Sequence, residues 1–243
     1  LVESATFVEL LLGCGAVFKL DDPPPESATE SDAKESVFKT IERLGDDLVG
    51  ASLHPSETGD FVFTLRSIAL ELIDTIDRDP DPSIASIFLN ACDIYSVRHQ
   101  IHSAILSVVM ARVLDIPLED LRSLVCGALT MNLAFLEYQD SLNTRPCGLS
   151  DDERDMIFKH PQIGEQLLLT AGVTDKNWLS CVRHHHEKWD GSGYPGGLSG
   201  KDIPLLAQIV QIVDVFSARI SVRSWGHTEL ANATMADLLR RTA

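Results

Sequence analysis

Basic residues are scarce in this chain. Twenty Lys and Arg stand against 36 Asp and Glu in 243 residues, for a formal net charge of −16. Such a surface repels polyphosphate backbones, which excludes broad nucleic-acid binding and leaves at most a local basic pocket for one small anionic ligand. Long apolar runs are also missing: nothing approaches the roughly 20 consecutive apolar residues of a membrane span, so no membrane insertion is expected. No secretory signal is visible. The five cysteines, Cys14, Cys92, Cys126, Cys147 and Cys181, are odd in number, scattered and free of any CxxC pair. That argues against a disulfide framework or a zinc ribbon and for a reducing compartment, so the expected location is the cytoplasm. There is no internal repeat and no convincing set of alternating strands.

What remains is an ordinary globular composition, 44% hydrophobic and 23% charged, with enough residues for a real core. The chain starts at Leu1 rather than Met and ends on Arg240-Arg241-Thr242-Ala243, which reads as a piece of a longer protein. Residues 1–36 join an apolar stretch, Val8 to Phe18, to a segment rich in Pro, Ser and Glu; the expectation is the tail of a preceding domain followed by a linker. From residue 37 to 243 one helical domain is expected. Leu65, Ile68, Ala69, Leu72, Ile73 and Ile76 form one apolar stripe at helical spacing. Leu118, Leu121, Leu124, Val125, Ala128 and Leu129 form another, with Pro117 suited to its first turn. Ser150-Asp151-Asp152-Glu153 reads as a capping box with acid at the positive end of a helix dipole. Leu206, Val210 and Val213 mark a late helix. The fold class read from these patterns is all-α, a helical bundle.

The most informative stretch is His184-His185-His186-Glu187-Lys188-Trp189-Asp190-Gly191-Ser192-Gly193-Tyr194-Pro195. Trp178, Val182, His185 and His186 fall at i, i+4, i+7 and i+8, which puts two imidazoles on the apolar side of a helical run. Neutral imidazoles facing a core need partners, and a metal is a common one. The glycines and proline that follow are turn chemistry. Composition alone leaves open a helix end with exposed histidines and a flexible loop.

Residues 185–203 match HHExxDGxGYPxGLxGxxI, and the chain thereby resembles the HD-GYP domains, helical metal-dependent phosphohydrolases that degrade cyclic di-GMP in bacterial signalling. Tyr95 to His99, Arg145 to Ser150, Glu153 through His160-Pro161 to Gly164, and Val213-Asp214-Val215-Phe216 resemble further family segments in the family's order. The signature region covers roughly residues 90–225. The resemblance implies metal ligands at His99, His160, His185, His186 and Asp214, and ligand contacts at Tyr194, in the Gly-Tyr-Pro loop, and at Arg223, whose fork suits a phosphate. Asp214 also stands on the apolar stripe of Leu206 and Val210. A buried carboxylate there needs a partner: a metal, a helix N-terminus or an Arg. His102 has no counterpart and reads as a surface or packing residue.

The chain departs from the family where the family writes its His-Asp pair and following lysine. Those positions are Met131, Asn132 and Phe135. A thioether is a poor ligand for Fe, Mn or Zn beside imidazoles, an amide carbonyl cannot bridge two cations as a carboxylate does, and a phenyl ring offers neither charge nor proton. Ser217 replaces a second family aspartate. The implied cofactor is therefore a divalent metal, Fe, Mn or Zn, with one ion or none in place of a bridged pair. Three function classes follow. The first is a degenerate module that binds a metal or a cyclic dinucleotide and works through a protein partner or an upstream domain. The second is an active phosphodiesterase with an altered metal site, and the third a purely structural or dimerising domain.

Overall fold

The computed structural model describes residues 35–53, 55, 60–88, 94–143 and 149–220. Among them are nine α-helices and no strand: α1 (Val37–Leu53), α2 (Phe61–Arg78), α3 (Pro80–Ser86), α4 (Tyr95–Val113), α5 (Leu118–Thr130), α6 (Leu136–Asn143), α7 (Asp151–Thr170), α8 (Lys176–His184) and α9 (Leu205–Ile220). Single 3-10 turns lie at Leu133–Phe135 and Gly200–Asp202. The all-α bundle expected from the stripes is the architecture observed. No helix among the described residues is long and apolar enough to cross a membrane.

The centre of the bundle is α4. From Tyr95 to Ala111 only Arg98 escapes burial, and α5, α9, α6, α1 and α2 all pack against this helix. Its sequence carries no apolar stripe because one of its faces is polar and nonetheless buried. Ser96 on that face donates its hydroxyl to Asp140 on α6 at 2.7 Å, and Ser107 donates to the carbonyl of Ser103 one turn back at 2.8 Å.

The other helices follow their patterns. The α2 stripe is buried at every predicted position. In α5 the stripe holds from Leu121 to Leu129, but Leu118, the first helical residue, is 46% exposed, and Pro117 stands just outside the helix as its N-cap. Ser150 and Glu153 close a reciprocal capping box at the start of α7, with Asp151 and Asp152 also in the first turn. That satisfies two orphan donors and sets negative charge against the helix dipole.

Two glycines bring α8 close to its neighbours. A Cβ on Gly127 of α5 would lie 2.4 Å from the Cβ of Cys181 on α8, and one on Gly164 of α7 would lie 3.1 Å from a methyl of Val182. α8 is thus held tightly between α5 and α7. Its C-terminal end, where His185 and His186 stand, is fixed relative to both.

Candidate metal centre

His160 lies in mid-helix on α7, directly before Pro161. Proline has no N–H, so the carbonyl of Ile157, four residues back, loses its usual helical donor. His160 takes that carbonyl: its Nδ1 lies 2.7 Å from Ile157 O. His185 uses a parallel device. α8 ends at His184, which frees the last carbonyls of the helix, and His185 Nδ1 lies 2.7 Å from Val182 O. A carbonyl only accepts, so both Nδ1 atoms carry the proton and both Nε2 atoms carry a bare lone pair.

Those two Nε2 atoms face each other at 3.1 Å. Two lone pairs in that position repel unless a cation lies between them. A proton is a poor candidate, because burial lowers the affinity of both imidazoles for it. A metal fits: nitrogens that share one ion at about 2.0–2.1 Å each stand roughly 3 Å apart. His186 completes the group, with a ligand nitrogen of each of His160, His185 and His186 within 4.8 Å of the others. Burial, followed by the nearby His160 and His99, pushes the His186 imidazole down to about 3. All three rings are thus neutral at pH 7, as ligands must be.

His99 and Asp214 form a second, adjoining pair. His99 Nε2 lies 2.7 Å from Asp214 Oδ1, and Ser217 Oγ lies 3.2 Å from His99 Nδ1. Burial alone would raise the Asp214 carboxyl, but the His99 hydrogen bond, with help from His99, His185 and His160, holds it below the usual carboxylate range. The charge of Asp214 is felt by both His160 and His185. The sequence-predicted His160, His185 and His186 are therefore brought together, with Asp214 beside them. The ring nitrogens of His99 are engaged by Asp214 and Ser217. His102 is a packing residue, buried with its Nδ1 unpartnered. Arg223 lies outside the described residues.

At the departure from the family pattern, Met131 is fully buried in the apolar core and Asn132 is buried beside it. Phe135 lays its ring on His160, with centroids 5.4 Å apart and planes 27° apart, and stacks on Tyr138 at 6.1 Å. Tyr194, half-buried, lies over His186 at 4.8 Å and meets the exposed ring of Phe158 edge-on at the same spacing.

Sequence reasoning did not single out Glu187. It is fully buried and accepts hydrogen bonds from the backbone N–H of Gly196 at 2.6 Å and of Leu198 at 2.9 Å. The available signal was an acid next to the paired histidines and just before a glycine-rich loop, a stretch with several free N–H donors.

The profile of the HD domain family matches residues 87–242. The chain belongs to the HD domain family. Among curated proteins, this HD domain chain is 30% identical over 161 residues to the cyclic di-GMP phosphodiesterase PA4108 of Pseudomonas aeruginosa, covering 65% of this chain and 39% of that protein. It is 35% identical over 134 residues to the cyclic di-GMP phosphodiesterase response regulator RpfG of Xanthomonas campestris, covering 54% and 35%. The HD domain chain thus spans well under half the length of these relatives. Among solved structures it resembles Bd1817, an HDG"Y"P protein from Bdellovibrio bacteriovorus, with a TM-score of 0.66 and 19% identity over 87% of this chain and 75% of that one.

Proposed function

We propose that this HD domain holds one divalent ion, Fe, Mn or Zn, on His160, His185 and His186, with Asp214 as the neighbouring anion. In this reading it takes a cyclic dinucleotide as ligand and works by binding rather than by turnover. The observation that carries the reading is the pair of Nε2 lone pairs facing each other at 3.1 Å in a buried, neutral imidazole cluster.

Charge argues for one ion rather than two. Two divalent cations need a bridging anion between them. The positions where the resemblance expects it hold Met131 and Asn132, and Asp214 is already engaged with His99. Phe135 stands where a lysine would assist phosphate chemistry, so the side of the site facing His160 is apolar. Tyr194 and Arg223 would contact the dinucleotide, the first by its ring and the second by its guanidinium. Residues 37–243 would form the module, and a protein partner or upstream domain would read its state.

A second reading, an active phosphodiesterase with an altered site, is favoured by one feature. An ion held by His160, His185 and His186 would supply Lewis acidity enough to bring the pKa of a water towards about 7. Metal analysis of untagged protein, cyclic di-GMP binding by calorimetry, and turnover with added Mn or Fe separate the readings. One bound ion per chain, loss of that ion in His185→Ala, and dinucleotide binding without turnover support the proposal. Sustained hydrolysis transfers support to the second reading. Protein that binds neither metal nor dinucleotide removes both.

A further inference from the structure

Glu187 lies outside the metal reading, yet it is a fully buried carboxylate. A buried charge is costly unless it is well paired, and here its short hydrogen bonds come from backbone, the N–H groups of Gly196 and Leu198 on the far limb of the loop, with His184 Nδ1 further off at 3.7 Å. The same loop is fastened to the same turn at two more points. Tyr194 N–H donates to the carbonyl of His186 at 3.1 Å, and Gly193 sits so close to the turn that a Cβ there would lie 2.3–2.5 Å from backbone atoms of His186, Glu187 and Lys188. The closeness extends to Gly196, where a Cβ would meet Glu187 Oε1 at 3.0 Å. What these fastenings deliver is the ring of Tyr194, laid over His186.

We infer that Glu187 is a positioning residue: by holding the Gly196 and Leu198 amides it joins the 190–198 loop to the His185-His186 turn, so that Tyr194 covers one side of the histidine cluster and the geometry of the cluster and of the loop are set together. The inference rests on the metal reading only for its consequence, that loosening the loop weakens the ion. A coupling of this kind is reciprocal: an ion that fixes His186 also orders the loop.

The 243-residue chain, its Glu187→Gln variant and its Gly196→Ala variant are compared by hydrogen exchange over residues 190–200 and by Zn2+ affinity against a competing chelator. Gly196→Ala leaves the carboxylate in place and crowds it, so it probes the same contact if Gln at 187 prevents folding. Both variants are expected to keep the thermal transition of the bundle, to exchange the amides of residues 196 and 198 at least about tenfold faster, and to bind Zn2+ roughly tenfold more weakly, the loss typical when a group that orients a ligand is removed. Exchange like that of the parent, or faster exchange with unchanged Zn2+ affinity, overturns the inference. If the parent itself binds no Zn2+, the metal reading fails separately. The positioning role is then decided by the His186 ring resonances, which the Tyr194 ring, 4.8 Å away, should shift in the parent. They move to ordinary values in both variants if the inference holds, and their staying in place sinks it.

Discussion

Pro161 shows how one residue serves the site at the expense of its helix. A proline in a helix interior costs about 3 kcal/mol relative to alanine, and here it leaves the Ile157 carbonyl to His160. Pro161→Ala returns a competing N–H to that carbonyl. The expected result has two opposite signs: a more stable helix in a denaturant titration, and a metal affinity about 10–100-fold weaker, as for lost outer-shell support. A second expectation concerns Met131→His, Asn132→Asp and Phe135→Lys together. That triple variant should raise bound metal per chain, measured by elemental analysis, and metal content equal to the parent's would mean that the alignment of this segment is wrong. At this scale the sequence singled out His160 from its motif, and His185, His186 and Asp214 from motif and apolar spacing together, and the structure brings these four side by side. It did not disclose the bond from His99 to Asp214 or the hydrogen bonds of Glu187. Both depend on partners 115 and about ten residues away, on elements whose approach no local pattern encodes. Arg223→Ala, if that guanidinium meets a dinucleotide phosphate, should weaken binding by about 1.5–3 kcal/mol in a calorimetric titration.

Among the elements, α2 and α9 were legible from an apolar stripe that faces the core, and α7 from the capping box at its start. α4 was not. It is buried on nearly every side, so its pattern does not separate core from surface, and its polar face satisfies Asp140 and its own carbonyls rather than solvent. The start of α5 was placed one residue early, because Pro117 serves as the cap rather than as part of the first turn. The capping box of α7 is where local sequence and local structure agree most closely: Ser150 Oγ accepts from Glu153 N–H at 3.2 Å, and Glu153 Oε2 accepts from Ser150 N–H at 2.8 Å. Ser150→Ala should cost about 1 kcal/mol, read as a lower midpoint in urea unfolding with an unchanged slope. Because α7 carries His160, a metal affinity that also drops in this variant would show that fraying at the helix start reaches the cluster ten residues on.

The molecule as a whole carries an acid-sensitive core. Burial is the leading cause that holds His102, His160, His185 and His186 below the ordinary imidazole range, His102 and His186 at about 3. Between the folded values and the unfolded value of about 6.5, the unfolded chain binds protons that the folded chain refuses. Stability therefore rises with pH through that window and is lost as pH falls below about 6.5, by up to about 1.4 kcal/mol per pH unit for each imidazole. Asp214, held low, adds its own loss only further down, as pH falls through its folded value. Urea midpoints at pH 7.5 and pH 5 should differ clearly; equal midpoints would mean that the cluster is not buried and neutral. The tight seam between α5 and α8 has another consequence. Cys126 and Cys181 lie within it, their thiols pushed up by burial, Cys126 to about 12, and Gly127 is pressed against Cys181. In a variant without the other three cysteines, a thiol-modifying dye would find nothing to label while the helices stay docked. The rate at which colour develops would then time the parting of these two helices.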